Sequence, residues 1–446
     1  MTPCNGRFGP AEPVSTRRSL MTMTMTGSWS RWFVVGVVAC MIAVGAPPYV
    51  SAQQPTPSPT TDQPASQAIS PAPEQPTLPS LLPAMAGPLV VNPKPLSFDV
   101  GPIGKWYITG AVSGLVQWQS NPVSGDDSWL ADVSNAQVFI NKPDGIVQFF
   151  AQAGAYSLPA LGVGYIHAGT TTNDFFGPFP QGFLKIAPTE NFSIMGGKLP
   201  TLIGAEYTFT FENMNIQRGL LWNQENAVNR GVQGNYTLGP VAFAVSWNDG
   251  FYSNQLSWVW GSVTWTIDSA NTLAFVGGGN TRHSRVSSAV TPLFQNNEQI
   301  YNLIYTHTEG PWTIQPYFQY THVPRIPGIG ALDSASTYGG AVLVNYRFPS
   351  DATIGGLTLD GLSLPARVEY IASTGNAANG APNLLYGPGS KAWSITVTPT
   401  YQWKLLFARG EFSFVGGVDT TAGLVFGSKG NDKTQARLSL EVGLLF

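Results

Sequence analysis

Three pairs of opposite charges near the carboxyl end of the chain stand at spacings that place both members of a pair on one face of a β-strand. Successive side chains of a strand point to opposite faces, so residues two or four apart share a face. Such pairs either form salt bridges that stiffen a wall or present a mixed-charge wall that shapes ion selectivity, and both interpretations stay open. The pairs are Arg367 with Glu369, Arg409 with Glu411, and Arg437 with Glu441.

A second set of polar side chains lies in residues 200–227, between two stretches with strand periodicity. This stretch is longer than the ~12–15 residues that a plain connection usually reaches. Carboxylates, amides and a guanidinium within one long connection predict a local electric field around it. The candidate residues are Glu206, Glu212, Asn213, Asn215 and Arg218, of which we expect Glu206, Glu212 and Arg218 to set the field.

The residue types that usually carry catalysis or bind metals are scattered along the chain. No two histidines have a metal-ligand spacing such as H-E-x-x-H, and no serine, histidine and aspartate can be grouped from the sequence alone. We therefore predict no enzyme, no metal site and no cofactor. The net charge of −3 lacks the basic footprint of a nucleic-acid-binding protein. The histidines are His167, His283, His307 and His322.

The composition indicates which kind of element must position these residues. Charged residues make up 11% of the chain, less than half of the ~25% that is usual for soluble domains, while aromatic residues reach 12%. No run of 18 or more apolar residues, the length of a helical span, occurs outside the amino-terminal region. The remaining architecture that can span a membrane is a closed β-barrel. The alternative, a soluble β-sandwich, would carry polar residues on its outer face.

The amino-terminal region predicts that the chain is exported, and it does not predict a folded domain. An apolar run over 32–46 follows Arg31, as in a secretory signal peptide, so residues 1–52 are assigned to the signal, with cleavage after Ala52. Residues 1–20 are untranslated if a later methionine is the start. Residues 53–98 are rich in proline and predict a disordered periplasmic arm, either a plain spacer or a segment that binds the cell wall or a partner.

Residues 99–446 predict an all-β domain of about 16 strands. Short connections such as those at 142–145 and 188–191 alternate with long ones rich in glycine, proline and asparagine, which is typical of an outer-membrane barrel with turns in the periplasm and loops outside. We therefore predict a transmembrane antiparallel up-and-down β-barrel. The predicted strands are 105–119, 131–141, 145–157, 181–188, 190–199, 228–238, 240–248, 256–267, 271–282, 298–308, 311–322, 336–348, 361–373, 391–402, 404–415 and 433–446.

The tryptophans on the outer face of the predicted strands bracket a membrane. With ~3.3 Å of rise per residue and ~45° of tilt, Trp106 and Trp118 are ~28 Å apart along the membrane normal, close to the ~25 Å apolar band of such barrels. Trp393 and Trp403 form a similar bracket. The last predicted strand ends on Phe446, with its apolar set facing lipid. Because a cationic side chain facing lipid at mid-depth costs roughly 2–4 kcal/mol, the six paired charges must face inward.

The predicted strand number sets the expected interior. About 16 strands leave an aqueous channel, whereas about eight leave an interior filled by side chains. The stretch 200–227 is the third long connection, the position at which general porins fold a loop into the lumen. We hypothesise that it forms the constriction, the alternative being an external loop that caps the barrel. If side chains or this loop seal the interior, the chain is instead a surface barrel with an adhesive or structural role.

One stretch, from Gly196 to Gly250, is similar to the OmpL-like β-barrel porins of bacterial outer membranes. That family carries a glycine-rich strand with a lysine, a G-x-E, an asparagine-rich loop, a glycine-opened strand and an ending like "VNGWD", from which "SWNDG" here departs in order. The terminal aromatic Phe446 resembles the assembly signal of outer-membrane barrels generally. The matching residues are Gly197, Lys198, Gly204, Glu206, Asn213, Asn215, Gly231 and Trp247 to Gly250.

The resemblance implies a porin-type channel in the outer membrane of a Gram-negative bacterium. It implies as partners the outer-membrane lipid, the barrel assembly machinery and the small hydrophilic solutes or ions that diffuse through the channel. By analogy with 16-stranded porins, a homotrimer is the expected assembly. The resemblance does not identify the solute.

Overall fold

A computed structural model describes residues 83–287 and 290–446. The predicted signal peptide, residues 1–52, and residues 53–82 of the predicted arm lie outside the described residues. The described chain forms an antiparallel sheet that contains 16 long strands, as predicted. The strands are β1 Lys105–Gln119, β2 Trp129–Lys142, β3 Val147–Tyr156, β4 Gln181–Ile186, β5 Phe192–Pro200, β6 Val228–Leu238, β7 Val241–Asn248, β8 Trp258–Thr266, β9 Asn271–Asn280, β10 Gln299–Glu309, β11 Trp312–Val323, β12 Ala335–Arg347, β13 Leu362–Ser373, β14 Lys391–Val397 continued by Thr400–Trp403, β15 Leu406–Val418 and β16 Thr434–Leu445.

The sheet closes on itself through its first and last strands. Strand β1 pairs with β2 on one side and with β16 on the other, where the register runs from Ala111 opposite Leu445 to Gln119 opposite Arg437. At the end of this seam, the N–H of Phe446 donates to the carbonyl of Gly110 at 3.0 Å and the N–H of Gly110 donates to the carbonyl of Phe446 at 2.9 Å. The seam therefore leaves no unpaired strand edge, as a membrane interior requires.

Short elements occupy the connections. A strand at Leu96–Asp99 pairs antiparallel with the start of β1, and a small hairpin joins Thr353–Ile354 to Leu357–Thr358 between β12 and β13. The helical turns are Gly101–Ile103, Ala168–Thr170, Thr171–Phe175, Thr210–Glu212, Leu221–Gln224, Gln295–Asn297, Pro327–Ile329 and Ala377–Asn379. None of the helices in the described part of the chain is both long and apolar enough to cross a membrane.

The two faces of each strand differ in the way that the period of two predicts. On β16, the side chains of Leu440 and Val442 are each 53% exposed on the outer face, whereas Glu441 between them is completely buried. Trp393 and Trp403 lie exposed on the outer face of β14. The outer wall of the barrel is thus apolar and the inner wall polar, with aromatic side chains among the outer residues.

The two tryptophans of β1 are less exposed than those of β14. Trp118 is half-buried on the outer face. Trp106 is covered by Phe98 of the short amino-terminal strand, with ring centroids 6.0 Å apart, and by Phe149, whose ring meets it edge-on at 4.8 Å. The aromatic bracket predicted on β1 therefore includes a tryptophan that packs against a neighbouring strand.

Residues 83–98, which the proline content assigned to the disordered arm, have defined positions in the structure. Leu89 is buried. The N–H of Val90 donates to the side-chain oxygen of Gln402 at 2.7 Å, and the side-chain amide nitrogen of Gln402 donates to the carbonyl of Val90 at 2.8 Å. Residues 96–99 form the short strand described above. The prediction of disorder is corrected here because apolar residues replace the polar ones at the end of the arm, and their burial offsets the entropy of ordering the chain.

Candidate functional site in the barrel interior

The connection between β5 and β6 runs inside the barrel. We call residues 200–227 the lumen loop. Every residue from Thr208 to Trp222 is buried, and two short helical turns, Thr210–Glu212 and Leu221–Gln224, compact it. Aromatic side chains of the loop, Phe209 and Phe211, pack with inward-facing aromatic side chains of the wall, such as Phe139. The loop therefore occupies the space that 16 strands enclose.

The three wall arginines predicted from the charge pairs point inward and bond to backbone carbonyls. Arg409 donates to the carbonyls of Thr210 at 2.8 Å and Asn213 at 3.2 Å. Arg437 donates to the carbonyl of Ala160 at 2.7 Å. Arg367 donates to the carbonyl of Gln217 at 2.9 Å. Each guanidinium thus replaces water around carbonyls that the strand ladders leave unbonded.

The three wall glutamates accept hydrogen bonds from the same loop. Glu411 accepts from the N–H groups of Ile216 at 2.6 Å and Gln217 at 3.2 Å. Glu369 accepts from the N–H of Leu220 at 3.1 Å, and Glu441 accepts from the hydroxyl of Thr210 at 2.7 Å. All six wall charges therefore face the interior and contact the lumen loop, Arg437 through its hydrogen bond to the side chain of Gln217 at 2.8 Å.

The ion pairs within the wall only partly follow the sequence pairs. Arg367 and Glu369 lie 3.2 Å apart, and Arg367 also pairs with Glu206 of the lumen loop. Arg409 pairs with Glu441 of the neighbouring strand at 3.3 Å. Within the described residues, Arg437 forms no ion pair. Spacing along one strand thus predicted the shared face, whereas the partners depend on register and on the loop.

Two of the predicted constriction residues shape the lumen loop itself. The side chain of Asn213 donates to the carbonyls of Tyr207 at 2.8 Å and Phe209 at 2.7 Å, which closes a turn of the loop. Asn215 donates to the hydroxyl of Thr398 on the wall at 2.7 Å. Asn213 thus fixes the backbone of the loop, and Asn215 ties the loop to the wall.

The acidic residues of the lumen loop are buried, and their pKa values are raised. Glu206 accepts from the N–H of Gly219 at 2.7 Å, and burial raises its pKa although Arg367 opposes the shift. The carboxyl of Glu212 accepts from the N–H of Phe209 at 2.9 Å, and burial raises the pKa of Glu212 to about 8. Burial and the nearby charge of Glu206 raise the pKa of Glu225 well above its ordinary value. Glu212 is therefore mostly protonated at neutral pH.

Arg218 differs from the wall arginines. Its guanidinium is fully buried and lies over the ring of Trp222, with 4.8 Å from its central carbon to the ring centroid. Among the described residues, no acceptor is in hydrogen-bonding contact with any of its three nitrogens. Burial lowers the pKa of Arg218 to about 10, so the group stays charged at neutral pH.

A segment at the end of the arm also reaches the interior, and sequence reasoning missed it. We call residues 83–91 the arm segment. The N–H groups of Ala86 and Gly87 donate to the carbonyl of Glu212 at 2.8 and 3.2 Å, and the carbonyl of Pro88 accepts from Arg347 at 2.8 Å. The arm segment therefore contacts the lumen loop from the short-turn end of the barrel, whereas the lumen loop itself begins at the end with the long connections. The run "PAMAGPLVV", poor in the Gln, Ser and Thr of the preceding arm, was the available signal.

The short-turn end of the barrel holds a cavity. Its volume is about 830 Å³, and it lies between residues 88–94, residues 347–350 and residues 402–405. Among residues 83–287 and 290–446, no cluster of three His, Cys, Asp or Glu side chains could hold a metal ion. The interior thus contains a loop anchored by charged side chains and, at the short-turn end of the barrel, a cavity.

Comparison with known proteins decides the family. The family model described as "Putative beta-barrel porin-2, OmpL-like" matches residues 105–446. The chain belongs to this family. It is therefore a porin of the Gram-negative outer membrane, and the resemblance read from Gly196 to Gly250 is confirmed. A comparison with curated proteins finds no significant match.

Several solved structures are similar to this OmpL-like porin at low sequence identity. The outer-membrane channel DcaP of Acinetobacter baumannii is 12% identical, with a TM-score of 0.50, over 78% of this chain and 99% of that chain. OmpF of Salmonella typhi, solved with daunomycin, is 13% identical, with a TM-score of 0.48, over 77% and 98%. A loop L8 deletion mutant of OmpT from Vibrio cholerae is 13% identical, with a TM-score of 0.49, over 76% and 99%. At 12% identity, the likeness to DcaP bears on fold alone.

Proposed function

We propose that this porin passes small hydrophilic solutes or ions through its barrel and that the lumen loop forms the constriction. Glu206, Glu212, Asn213, Asn215 and Arg218 are the proposed constriction residues. One observation carries the proposal: the buried run 208–222 lies inside the wall and is bonded to inward-facing charges on β13, β15 and β16. A loop anchored in this way determines both the width of the passage and its charge.

Passage through this constriction requires the lumen loop to shift. The loop fills the interior. Its attachment to the wall combines hydrogen bonds that water and solutes can replace, each with a net contribution of about 0.5–3 kcal/mol, with apolar contacts such as that of Phe211 with Phe139. A loop movement that breaks several such contacts is comparable to lid opening or local unfolding, which takes roughly microseconds to seconds. We therefore propose a narrow, fluctuating passage and not a wide open pore.

The surroundings of the barrel follow from the same proposal. The apolar outer wall is surrounded by outer-membrane lipid, and the barrel assembly machinery inserts the chain by recognising the last strand with Phe446. Three copies assemble as a homotrimer. No catalytic step and no cofactor are assigned to the chain.

A non-conducting surface barrel is the alternative, and the same burial favours it. All six wall charges are at most 3% exposed, so the interior as described leaves little room for water beside the lumen loop. In that case the long external loops would be the functional surface. The two functions differ in one measurable property, which is conductance.

Single-channel recording of the purified protein in a planar bilayer tests the proposal. We expect discrete conductance steps, and we expect the double variant Glu206→Gln, Glu212→Gln to change the conductance and the cation-to-anion ratio in a salt gradient. The matched control is Glu190→Gln, Glu309→Gln, which alters two exposed carboxylates. A double variant that behaves like the wild type would exclude the constriction role, and a folded protein without any steps would favour the surface barrel.

A further inference from the structure

Arg218 is a buried cation without a bonded counter-charge. Its guanidinium is fully buried, and within residues 83–287 and 290–446 none of its nitrogens meets an acceptor. Each wall arginine, in contrast, bonds to at least one carbonyl or carboxylate. Buried charges in proteins are paired as a rule, because removing a charge from water is costly without a partner. An arginine cannot escape this cost by losing its proton near neutral pH.

The carboxylates that lie in electrostatic reach of Arg218 are bonded elsewhere. Glu206 pairs with Arg367 and accepts from Gly219. Glu441 pairs with Arg409 and accepts from Thr210. These two carboxylates are thus engaged with wall arginines, and neither bonds to Arg218.

The third carboxyl group in reach belongs to Glu212. It accepts from the N–H of Phe209, and its raised pKa keeps it mostly neutral at pH 7. It therefore adds little negative charge near Arg218. The hydrogen-bond donors of Arg218, which have no acceptor among the described residues, remain for a bound group.

The geometry around Arg218 selects the kind of anion. The guanidinium lies over the ring of Trp222, and none of its three nitrogens has a hydrogen-bond acceptor among the described residues, so the planar fork of donors is available to a ligand. A carboxylate matches this fork with two parallel hydrogen bonds. The acidic side chains of Glu206 and Glu369, which both pair with Arg367, lie in the same part of the lumen, and this cluster of acidic groups disfavours anions with more than one charge.

We propose that Arg218 binds the carboxylate of a small monocarboxylate solute inside the lumen. This inference rests on the proposed function in one respect, which is that the solute reaches Arg218 when the lumen loop shifts. The bound carboxylate completes the hydrogen bonding of the guanidinium and gives its charge a directly bonded partner. The porin would then hold monocarboxylates longer than chloride of the same charge.

Thermal unfolding of the purified protein in detergent measures binding without any need for conductance. A ligand that binds only the folded state raises Tm with its concentration. We expect sodium acetate to raise Tm above the value in sodium chloride of equal ionic strength, and sodium phosphate to raise it less than acetate. We expect Arg218→Gln to weaken the apparent affinity for acetate at least about tenfold, because it removes a charged pair of hydrogen bonds.

Two further variants separate binding from folding. Arg218→Lys keeps the charge but loses the fork, so part of the acetate effect should remain. Arg325→Gln is the matched control, since Arg325 is exposed on an outer loop, and it should keep the full effect. Heat-modifiable mobility in electrophoresis reports whether each variant is folded.

The outcomes are distinct. Equal Tm values for the wild type in acetate and chloride would overturn the site, whatever the variants do, and so would an acetate effect that persists unchanged in folded Arg218→Gln. An acetate effect that depends on Arg218 in a protein that shows no conductance would support the site while contradicting the proposed channel. Conductance without an acetate effect would contradict the site alone.

Discussion

Arg409 and Glu441 face each other across β15 and β16, with 3.3 Å between the guanidinium nitrogen Nη1 and the carboxylate oxygen Oε2. Both side chains are completely buried. Both also contact Thr210 of the lumen loop, Arg409 at its carbonyl and Glu441 at its hydroxyl. One cross-strand ion pair therefore joins the closing strands of the barrel to the loop that fills it.

Arg409→Ala should strongly destabilise the barrel. The substitution leaves the Glu441 carboxylate buried without its cation, and breaking a buried pair in this way typically costs about 3–5 kcal/mol. The free energy of unfolding from urea titrations in detergent measures the loss. Lys391→Ala is the control, because Lys391 pairs with Asp419 at 2.8 Å on the exposed surface, where such pairs contribute little. Equal effects of the two variants would contradict the assigned role of burial.

Gly110→Ala should impair closure of the barrel. A β-carbon at Gly110 would lie 2.3 Å from the ring of Phe446 and 2.7 Å from the carbonyl of Gln137. Overpacking of this kind costs typically about 1–3 kcal/mol, and it occurs at the seam where Phe446 pairs with β1. The folded fraction after refolding, read from heat-modifiable mobility, measures the effect. Gly114→Ala on the same strand should fold normally, since its nearest contact is 3.8 Å away; a normal yield for Gly110→Ala would contradict the prediction.

The barrel could be predicted because its information lies within single strands. On β16, Leu440 and Val442 alternate with Ser439 and Glu441, and this alternation indicates which face meets lipid. The inference does not depend on the neighbouring strand. Pro399 is where the prediction of one continuous strand fails locally, because a proline has no N–H for the ladder. The hydrogen-bonded strand pauses there and resumes at Thr400.

The partners of the charged residues could not be predicted because they come from other elements. Arg409 lies opposite Glu441 because of the register between two strands, and the spacing of residues along one strand does not predict that register. Arg367 meets Glu206 only because the lumen loop folds inward. The lack of a bonded partner for Arg218 is likewise a property of the packed interior and has no sequence signature.

The stability of the barrel should fall as pH rises from about 4.5 to about 8 because of Glu212. Burial raises the pKa of Glu212 from its ordinary value of 4.5 to about 8. Between these values the folded state binds more protons than the unfolded state, so the free energy of unfolding decreases with pH and becomes constant above about 8. Urea titrations at several pH values should show a smaller slope in Glu212→Gln, which cannot titrate at this position. The exposed Glu190→Gln is the control, and identical slopes for wild type and Glu212→Gln would contradict the prediction.

Gly87→Ala should loosen the arm segment and widen the passage. A β-carbon at Gly87 would lie 2.3 Å from the backbone carbonyl oxygen of Asn213, so the arm segment must retreat from the lumen loop and lose its two bonds to the carbonyl of Glu212. Without this support at its tip, the loop should fluctuate more, and the mean single-channel conductance should rise. Gly169→Ala is the control, because a β-carbon there meets nothing within 4 Å. Faster proteolysis of the arm without any change in conductance would show that the arm segment is displaced yet plays no part in narrowing the passage.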